Sequence, residues 1–311
     1  MRLALLQEKH NDLYAFLKEN VTYTKGQIHE YLLQMEEQNL LLMKSAGQMG
    51  ADLALTSEAI NFPGQPWWTD SDIVGIVKDT QNRLKSNCSA IACQMHMYIA
   101  VGMYQVKEDG KLYNSVLIFD RTGQIVFSYD KNFLAGSELE YLTPGNSFPV
   151  WNSEFGKIGL GICWDMQFPE TARAYALQDA DMILCPTWGW ESLYAQARAY
   201  ENGIYVAATM AVPEWGDIEE IRNPSQVIAP DGNILGEATR NKSEVLLVNL
   251  PDIRDCRDCR ALRIGDLRKR FSLIYLHAKS VADYYIPQRF SLCFLLIILQ
   301  HIHRPVPEGK S

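Results

Sequence analysis

The 311-residue sequence lacks the features that would direct it to nucleic acid, secretion or a membrane. Its net charge is −8, whereas a nucleic-acid-binding surface needs a basic footprint. The apolar run over 3–6 is too short for the core of a signal peptide. The longest apolar stretch, 290–299, has about half of the roughly 20 residues that a membrane-spanning helix needs. We therefore expect neither nucleic acid nor a membrane as a partner.

The cysteines do not form a disulfide or metal framework. Seven is an odd number, and together with the missing signal peptide it favours a reducing cytoplasm. Cys256 and Cys259 have the two-residue spacing of a zinc or redox pair, but no second pair follows at a suitable interval, and His301 and His303 do not complete one. We interpret this pair as part of a loop and expect no metal site.

Repeats, low-complexity tracts and an interdomain linker are absent before residue 250. With 47% hydrophobic and 21% charged residues, the chain can bury a large core. Interleaved strands and helices with hairpin signals favour one α/β domain, with mixed sheets covered by helices. The predicted strands are 1–7, 52–57, 98–107, 112–120, 124–129, 157–162, 181–185, 204–210, 226–230, 233–235 and 244–249. The predicted helices are 28–48, 71–85, 169–178 and 194–202; the polar stretch 8–27 has no assigned role.

Three reactive side chains each follow a predicted strand. Cys163 opens a polar turn after the strand 157–162, Glu58 follows 52–57, and Lys131 follows 124–129. Ligands bind beyond strand ends in sheets of this kind, so a thiol, a carboxylate and an ammonium can meet there. The alternatives are a small packed cysteine at a strand end and two solvated loop charges.

Together the three groups could perform acyl transfer. A thiol titrates near 8.5 and needs activation at neutral pH. A glutamate of raised pKa can serve as the base, and a lysine can stabilise a thiolate and an oxyanion. None of the six histidines lies in a motif-like segment beside these strand ends. A Cys-His protease is therefore unsupported.

The motifs around these residues resemble the nitrilase superfamily of carbon-nitrogen hydrolases, in order and spacing. The resemblance runs from Met1 to about Lys269. It rests on Ser57-Glu58, Tyr129-Asp130-Lys131, Cys163-Trp164-Asp165 and Phe168-Pro169-Glu170, with further matches at Tyr113-Asn114-Ser115, Thr143-Pro144-Gly145, Arg198 to Asn202 and Arg263 to Arg268.

This resemblance implies a four-layer αββα sandwich with two mixed, mostly antiparallel sheets, paired with a second subunit, and no metal or organic cofactor. By the same resemblance, Cys163 attacks the carbonyl carbon and Glu58 moves the proton. Lys131 and the backbone N–H of Trp164 hold the oxyanion. A second glutamate before the Pro-Gly step orients the base; Glu138 fits this position, with Glu140 as its rival.

The resemblance also bears on substrate and domain organisation. Asp165 after Trp164 is similar to the amidase and carbamoylase branches, whereas nitrilases tend to have Glu there. Only three residues separate Pro186 from Trp190, so Trp188 is expected either to line the substrate pocket or to pack in the core. The hydrolase domain is predicted over 1–269, with a divergent extension over 270–311 that is a possible subunit contact.

The sequence thus predicts a cytoplasmic homodimer or higher homo-oligomer that cleaves a small amide or N-carbamoyl compound through a Cys163 thioester and releases ammonia. One alternative is a nitrilase. Another, of a different class, is a non-catalytic protein that binds a metabolite or acts as a scaffold. Transfer of the acyl group to an amine instead of water also stays open.

Overall fold

The computed structural model describes residues 1–10, 24–61, 70–136, 138–212 and 223–265. Strands and helices alternate through most of this chain. The strands are β1 (Arg2–Lys9), β2 (Leu53–Thr56), β3 (Tyr98–Val106), β4 (Leu112–Phe119), β5 (Ile125–Asp130), β6 (Trp151–Ser153), β7 (Gly156–Leu160), β8 (Met182–Thr187), β9 (Tyr205–Val212), β10 (Gln226–Ile228), β11 (Ile234–Glu237) and β12 (Glu244–Asn249). The helices are α1 (Lys25–Gln48), α2 (Asp70–Met95), α3 (Glu138–Tyr141), α4 (Pro169–Leu177), α5 (Ser192–Asn202) and α6 (257–265).

The described strands form one mixed 12-stranded sheet with helices packed against it. The first half-sheet contains β1 to β5 and β12, and the second half-sheet contains β6 to β11. Six of the strand pairings are antiparallel and five are parallel. The α/β class predicted from the sequence is therefore confirmed, with a nearly even mixture of the two pairing modes.

The sequence predicted two sheets, whereas the two half-sheets are joined. The joint is the parallel pairing of Glu8 and Lys9 in β1 with Ala211 and Val212 in β9. We predicted the end of β1 at Gln7 because the residues that follow are polar. In the structure Glu8 and His10 are buried among polar partners, so β1 continues two residues further and reaches β9.

Alternate residues of β1 pack into two different cores, as the two-residue period of a strand requires. Leu3 and Leu5 belong to a large core that also contains side chains of the second half-sheet, such as Leu160 and Leu184. Ala4 and Leu6 pack on the opposite face, which α1 and α2 cover. The first half-sheet is thus buried on both faces.

Four further segments differ from the sequence-based prediction. Helix α2 extends to Met95 instead of ending near 85, because the buried side chains of Cys88, Ile91 and Ala92 pack against the first half-sheet. Helix α3 and strand β6 are too short to give a periodic signal. Cys256 and Cys259 lie in a 3-10 turn and in α6, so they are helical and not in a loop.

Some expectations fall outside the described residues. They concern most of the polar stretch 8–27, the domain boundary at 269/270 and the apolar run 290–299.

Candidate active site

Cys163 lies at the start of a short 3-10 turn, Cys163–Gln167, shortly after the end of β7. Its φ is +44°, in the left-handed region that residues other than glycine rarely adopt. The residue as a whole is partly exposed, whereas Ile162 before it is fully buried. Backbone outliers of this kind concentrate at functional sites. The backbone is held by the strand while the thiol is presented beyond its end.

Glu58 lies just beyond β2 and is 4% exposed. Its Oε1 accepts hydrogen bonds from Lys131 Nζ and from Asn114 Nδ2, both at 2.8 Å. Its Oε2 accepts one from the backbone N–H of Trp188 at 3.1 Å. Donors thus fix both carboxylate oxygens, and the group is held in one orientation.

Lys131 follows β5 directly and is 2% exposed. Besides Glu58, its Nζ contacts Glu138 Oε1 at 3.0 Å and Oε2 at 2.8 Å. Burial opposes the charge on the ammonium, but the carboxylates of Glu58 and Glu138 outweigh burial and hold the pKa of Lys131 well above its usual range. The lysine therefore remains charged while buried between two carboxylates.

Glu138 is the glutamate that the structure brings to Lys131. It lies at the start of α3 and also accepts hydrogen bonds from the backbone N–H of Ala135 at 2.8 Å and from Asn114 Nδ2 at 3.2 Å. Glu140, its rival, is exposed. Asn114 therefore bridges the two glutamates through the same two oxygens, Glu58 Oε1 and Glu138 Oε1, that Lys131 Nζ contacts.

The thiol of Cys163 belongs to the same electrostatic cluster. Burial raises the pKa of the Cys163 thiol to about 11, and the negative charge of Glu58 acts in the same direction. Lys131, the Thr187 hydroxyl and the backbone N–H of Trp188 favour the thiolate and oppose this rise. At neutral pH the resting thiol is therefore protonated, and a reaction of its sulfur needs a proton acceptor.

The turn that carries Cys163 is fixed by Asp165, which is fully buried. Asp165 Oδ2 accepts hydrogen bonds from the backbone N–H of Ile162 at 2.9 Å and from the Tyr129 hydroxyl at 2.8 Å. Its Oδ1 accepts from the backbone N–H groups of Asn132 at 3.2 Å and Phe133 at 2.8 Å. Asp165 thus connects, through hydrogen bonds, the segment that follows Lys131 with the turn that carries Cys163.

The tryptophans near the site have different environments. Trp190 is fully buried in the large core. Trp188 is partly buried, and its indole Nε1 donates a hydrogen bond to the backbone carbonyl of Glu58 at 2.6 Å. Trp164 is 42% exposed and packs edge-on against Phe168. Trp188 and Trp164 therefore have surface near the cluster, and their contact with substrate stays a prediction.

Comparison with known proteins identifies the family. The family model for carbon-nitrogen hydrolases matches residues 2–260. The chain belongs to the carbon-nitrogen hydrolase family. The resemblance to the nitrilase superfamily is confirmed, and with it the enzyme class, a hydrolase of carbon–nitrogen bonds other than peptide bonds.

Two curated relatives and one solved structure show what this hydrolase is similar to. A probable nitrilase of Schizosaccharomyces pombe is 28% identical over 251 residues, which cover 76% of this chain and 85% of the relative. The omega-amidase NIT2 of Xenopus tropicalis is 29% identical over 250 residues, which cover 73% and 88%. A Glu-to-Gln mutant of the amidase from Nesterenkonia sp. AN1, with the acetamide moiety of fluoroacetamide added to its active-site cysteine, is 25% identical with a TM-score of 0.64, over 86% of this chain and 96% of that chain.

Sequence reasoning missed several polar residues of the hydrolase site. Asn114 and Asp165 lie inside the motifs that resemble the family. Only the folded chain shows that Asn114 binds the two glutamates and that Asp165 binds the turn of Cys163. Thr187 gave no signal beyond its position at the end of β8. Glu8 and His10 were read as part of a polar stretch, because the sequence cannot show that their partners are buried with them.

Within the described ranges, no group of three or more His, Cys, Asp or Glu side chains is arranged to hold a metal ion. In the same part of the hydrolase, no helix is long and apolar enough to cross a membrane.

Replacing Asp165 with asparagine should destabilise the hydrolase by about 2–6 kcal/mol. The amide nitrogen cannot accept hydrogen bonds, so it would leave two of the four buried donors without an acceptor, at about 1–3 kcal/mol each. Urea unfolding monitored by circular dichroism measures the change. Asp255→Asn, at an exposed aspartate, should stay within about 0.5 kcal/mol of the parent. Equal stability of the two variants would contradict this role of Asp165.

Proposed function

We propose that this hydrolase cleaves the terminal amide of a small linear molecule and releases ammonia through a thioester on Cys163. The observation that carries the proposal is one cluster, in which Lys131 pairs with Glu58 and Glu138. The charges of Lys131 and Glu58 act on the thiol of Cys163, whose backbone has a positive φ. The omega-amidase relative supports a terminal amide as the substrate class. The acetamide adduct on the active-site cysteine of the similar amidase supports the nucleophile.

In the proposed reaction, Glu58 accepts the thiol proton as the Cys163 sulfur attacks the carbonyl carbon. The carbonyl oxygen then carries the negative charge, which Lys131 and the backbone N–H of Trp164 stabilise. Glu58 returns the proton to the amide nitrogen, the C–N bond breaks, and ammonia leaves. Water then attacks the thioester carbonyl with Glu58 as the base, the C–S bond breaks, and Glu58 returns the proton to the Cys163 sulfur as the carboxylic acid leaves.

The geometry supports this division of roles. Trp188 and Asn114 fix the orientation of the Glu58 carboxylate, while Glu138 shares Lys131 with it. Because Lys131 keeps its charge, it can stabilise an oxyanion and cannot act as the base. The protonated resting thiol matches a mechanism in which proton transfer accompanies attack.

An amide or N-carbamoyl substrate is favoured over a nitrile by Asp165 after Trp164. A nitrilase is the second candidate, because one similar protein is a probable nitrilase. A non-catalytic scaffold is disfavoured, since the required side chains are all present and converge. The four-layer αββα arrangement, assembly into a homodimer or higher homo-oligomer and location in the cytoplasm stay part of this proposal.

The test is ammonia release from a panel of substrates. The panel contains a monoamide of a dicarboxylic acid, simple amides, N-carbamoyl amines, N-carbamoyl amino acids, and nitriles paired with their matching amides. Release should be fastest with the terminal amides. Faster turnover of a nitrile than of its amide would select the nitrilase. No release from any compound, together with no covalent adduct on Cys163, would refute the hydrolase proposal.

Replacing Glu58 with glutamine should make activity depend steeply on pH. Without the carboxylate, attack requires a preformed thiolate. With a thiol pKa near 11, its population is about 10⁻⁴ at pH 7 and rises about tenfold per pH unit. Loss of the Glu58 charge lowers this pKa, so the thiolate population at pH 7 is larger than this value, and the tenfold rise per pH unit holds below the lowered pKa.

We expect a loss of about 10³-fold at pH 7 that shrinks as pH rises to 9, where the parent changes less. Ammonia release is measured across this range. The control is Glu140→Gln, the same change at an exposed glutamate. This variant should have the same pH profile of activity as the parent. Parallel profiles for Glu58→Gln and the parent would exclude Glu58 as the base.

A further inference from the structure

Glu8 is a fully buried carboxylate that the proposed reaction does not use. It lies near the end of β1, in the segment that joins the two half-sheets. Its Oε1 accepts a hydrogen bond from the Ser57 hydroxyl at 2.7 Å and lies 3.5 Å from His10 Nε2. Its Oε2 accepts a hydrogen bond from Asn39 Nδ2 on α1. A carboxylate this deep is retained only with such partners, because an isolated buried charge is strongly destabilising.

The first route from Glu8 to the candidate site runs through Ser57. Ser57 is fully buried and is the residue immediately before Glu58. Its hydroxyl is bound by Glu8, so the backbone that delivers the Glu58 side chain is held from the neighbouring strand. Hydrogen bonds to an ionised acceptor are shorter and stronger than neutral ones. This contact therefore restricts the position of the Glu58 backbone.

The second route runs through His10 and Trp188. The His10 ring packs edge-on against the Trp188 ring, with 4.9 Å between centroids and a 65° interplanar angle. Trp188 donates one hydrogen bond to Glu58 Oε2 and another to the Glu58 backbone carbonyl. His10 thus packs against Trp188, the residue that holds the carboxylate end of the Glu58 side chain. Both routes start at Glu8 and end at Glu58.

We infer that Glu8 is a positioning residue that orients the Glu58 carboxylate toward Cys163 through Ser57 on one side and His10 with Trp188 on the other. The inference rests on the proposed function in one respect, namely that Glu58 accepts the Cys163 proton. A displacement of about 1 Å in a reacting group can reduce a rate by about 100-fold. Loosening both supports of Glu58 therefore affects the rate more than the binding of substrate.

The test compares Glu8→Gln with Glu36→Gln, a matched control. Glu36 is also a buried carboxylate, 5% exposed, and it binds Arg83 and Asn87 at the interface of α1 and α2. Both variants lose one buried charge with little change in volume. We expect Glu8→Gln to lower kcat about 10- to 100-fold with KM within about threefold of the parent. Glu36→Gln should keep the kcat of the parent, although it too loses stability.

A second readout needs no substrate. The rate at which iodoacetamide alkylates Cys163, followed by mass spectrometry of the intact and digested protein, depends on proton transfer from the thiol. We expect this rate to fall about tenfold in Glu8→Gln and to be unchanged in Glu36→Gln. Ser57→Ala, which removes only a hydroxyl, should lower it as well and serves the same purpose if Glu8→Gln does not fold.

A double-variant cycle separates positioning through Ser57 from an independent effect. If Glu8 acts partly through Ser57, the combined Glu8→Gln and Ser57→Ala variant loses less than the product of the two single losses. Fully multiplicative losses, or an alkylation rate equal to that of the parent in both single variants, would overturn the inference. If the parent releases no ammonia but Glu8→Gln still slows alkylation of Cys163, the inference stands and the substrate proposal fails.

Discussion

Replacing Cys163 with alanine is expected to reduce ammonia release at least about 10⁴-fold while the protein remains folded. Removal of the nucleophile from a comparable acyl-transfer site abolishes nearly all of the rate enhancement, leaving only what binding and oxyanion stabilisation supply. The thioester cannot form without sulfur, and alanine at this position offers no substitute. Ammonia release from the best substrate of the panel measures the loss.

The stability of Cys163→Ala should remain within about 1 kcal/mol of the parent, because only one sulfur atom is removed. The φ of +44° strains alanine and cysteine alike. Cys93→Ala, at an exposed cysteine, is the matched control and should keep full activity. A Cys163→Ala protein that retains more than roughly a hundredth of the activity would refute the thioester mechanism.

Replacing Lys131 with methionine is expected to affect both stability and activity. It would leave the carboxylates of Glu58 and Glu138 buried without their common counter-ion, and breaking a buried ion pair from one side typically destabilises by about 3–5 kcal/mol. It would also remove the charge that stabilises the proposed oxyanion, at a further loss of about 10²- to 10³-fold in kcat. Urea unfolding and ammonia release measure the two effects separately.

Two further variants identify the cause of the Lys131→Met effect. Lys107→Met removes a lysine whose side chain is 34% exposed and which pairs with Asp130, 22% exposed. This change should cost no more than about 1 kcal/mol. Adding Glu138→Gln to Lys131→Met removes one of the two uncompensated charges. The double variant should therefore recover part of the lost stability without recovering activity. Equal stability losses for Lys131→Met and Lys107→Met would show that the buried cluster is not ionised as described.

The sequence predicted the strand ends of the site well because hydrophobic runs fix where a strand stops. Each reactive residue lies within three residues of the end of an apolar run: Cys163 directly follows Ile162, Lys131 is two residues after Tyr129, and Glu58 is three residues after Leu55. Short elements were missed because α3 has four residues and β6 has three, fewer than a periodic pattern needs. Local pattern thus located the reactive groups but not the small elements between them.

Contacts with partners that are distant in sequence account for the wrongly predicted ends of β1 and α2. The sequence shows Glu8 and His10 as polar residues, and polar residues usually end a buried strand. Their burial depends on Ser57 and Asn39, which are distant in sequence and meet them only in the fold. Helix α2 extends past its predicted end because buried side chains such as Cys88 pack against the first half-sheet, and Asn87 in the same stretch donates a hydrogen bond to Glu36 of α1. Such contacts form only in the folded protein, so the periodicity of the sequence cannot predict them.

The pairing of β1 with β12 has a consequence for how the chain folds. In β1, Arg2 pairs with Asn249 of β12, and the amino group of Met1 donates a hydrogen bond to the carbonyl of Leu250. Contacts between residues so far apart in sequence are slow to form, because loop closure must precede them. During synthesis, β1 emerges before β12 and gains this partner only after residue 249 has left the ribosome. Until then one edge of β1 is open to pairing with other chains, so the nascent protein is exposed to aggregation while the residues between the two strands are made.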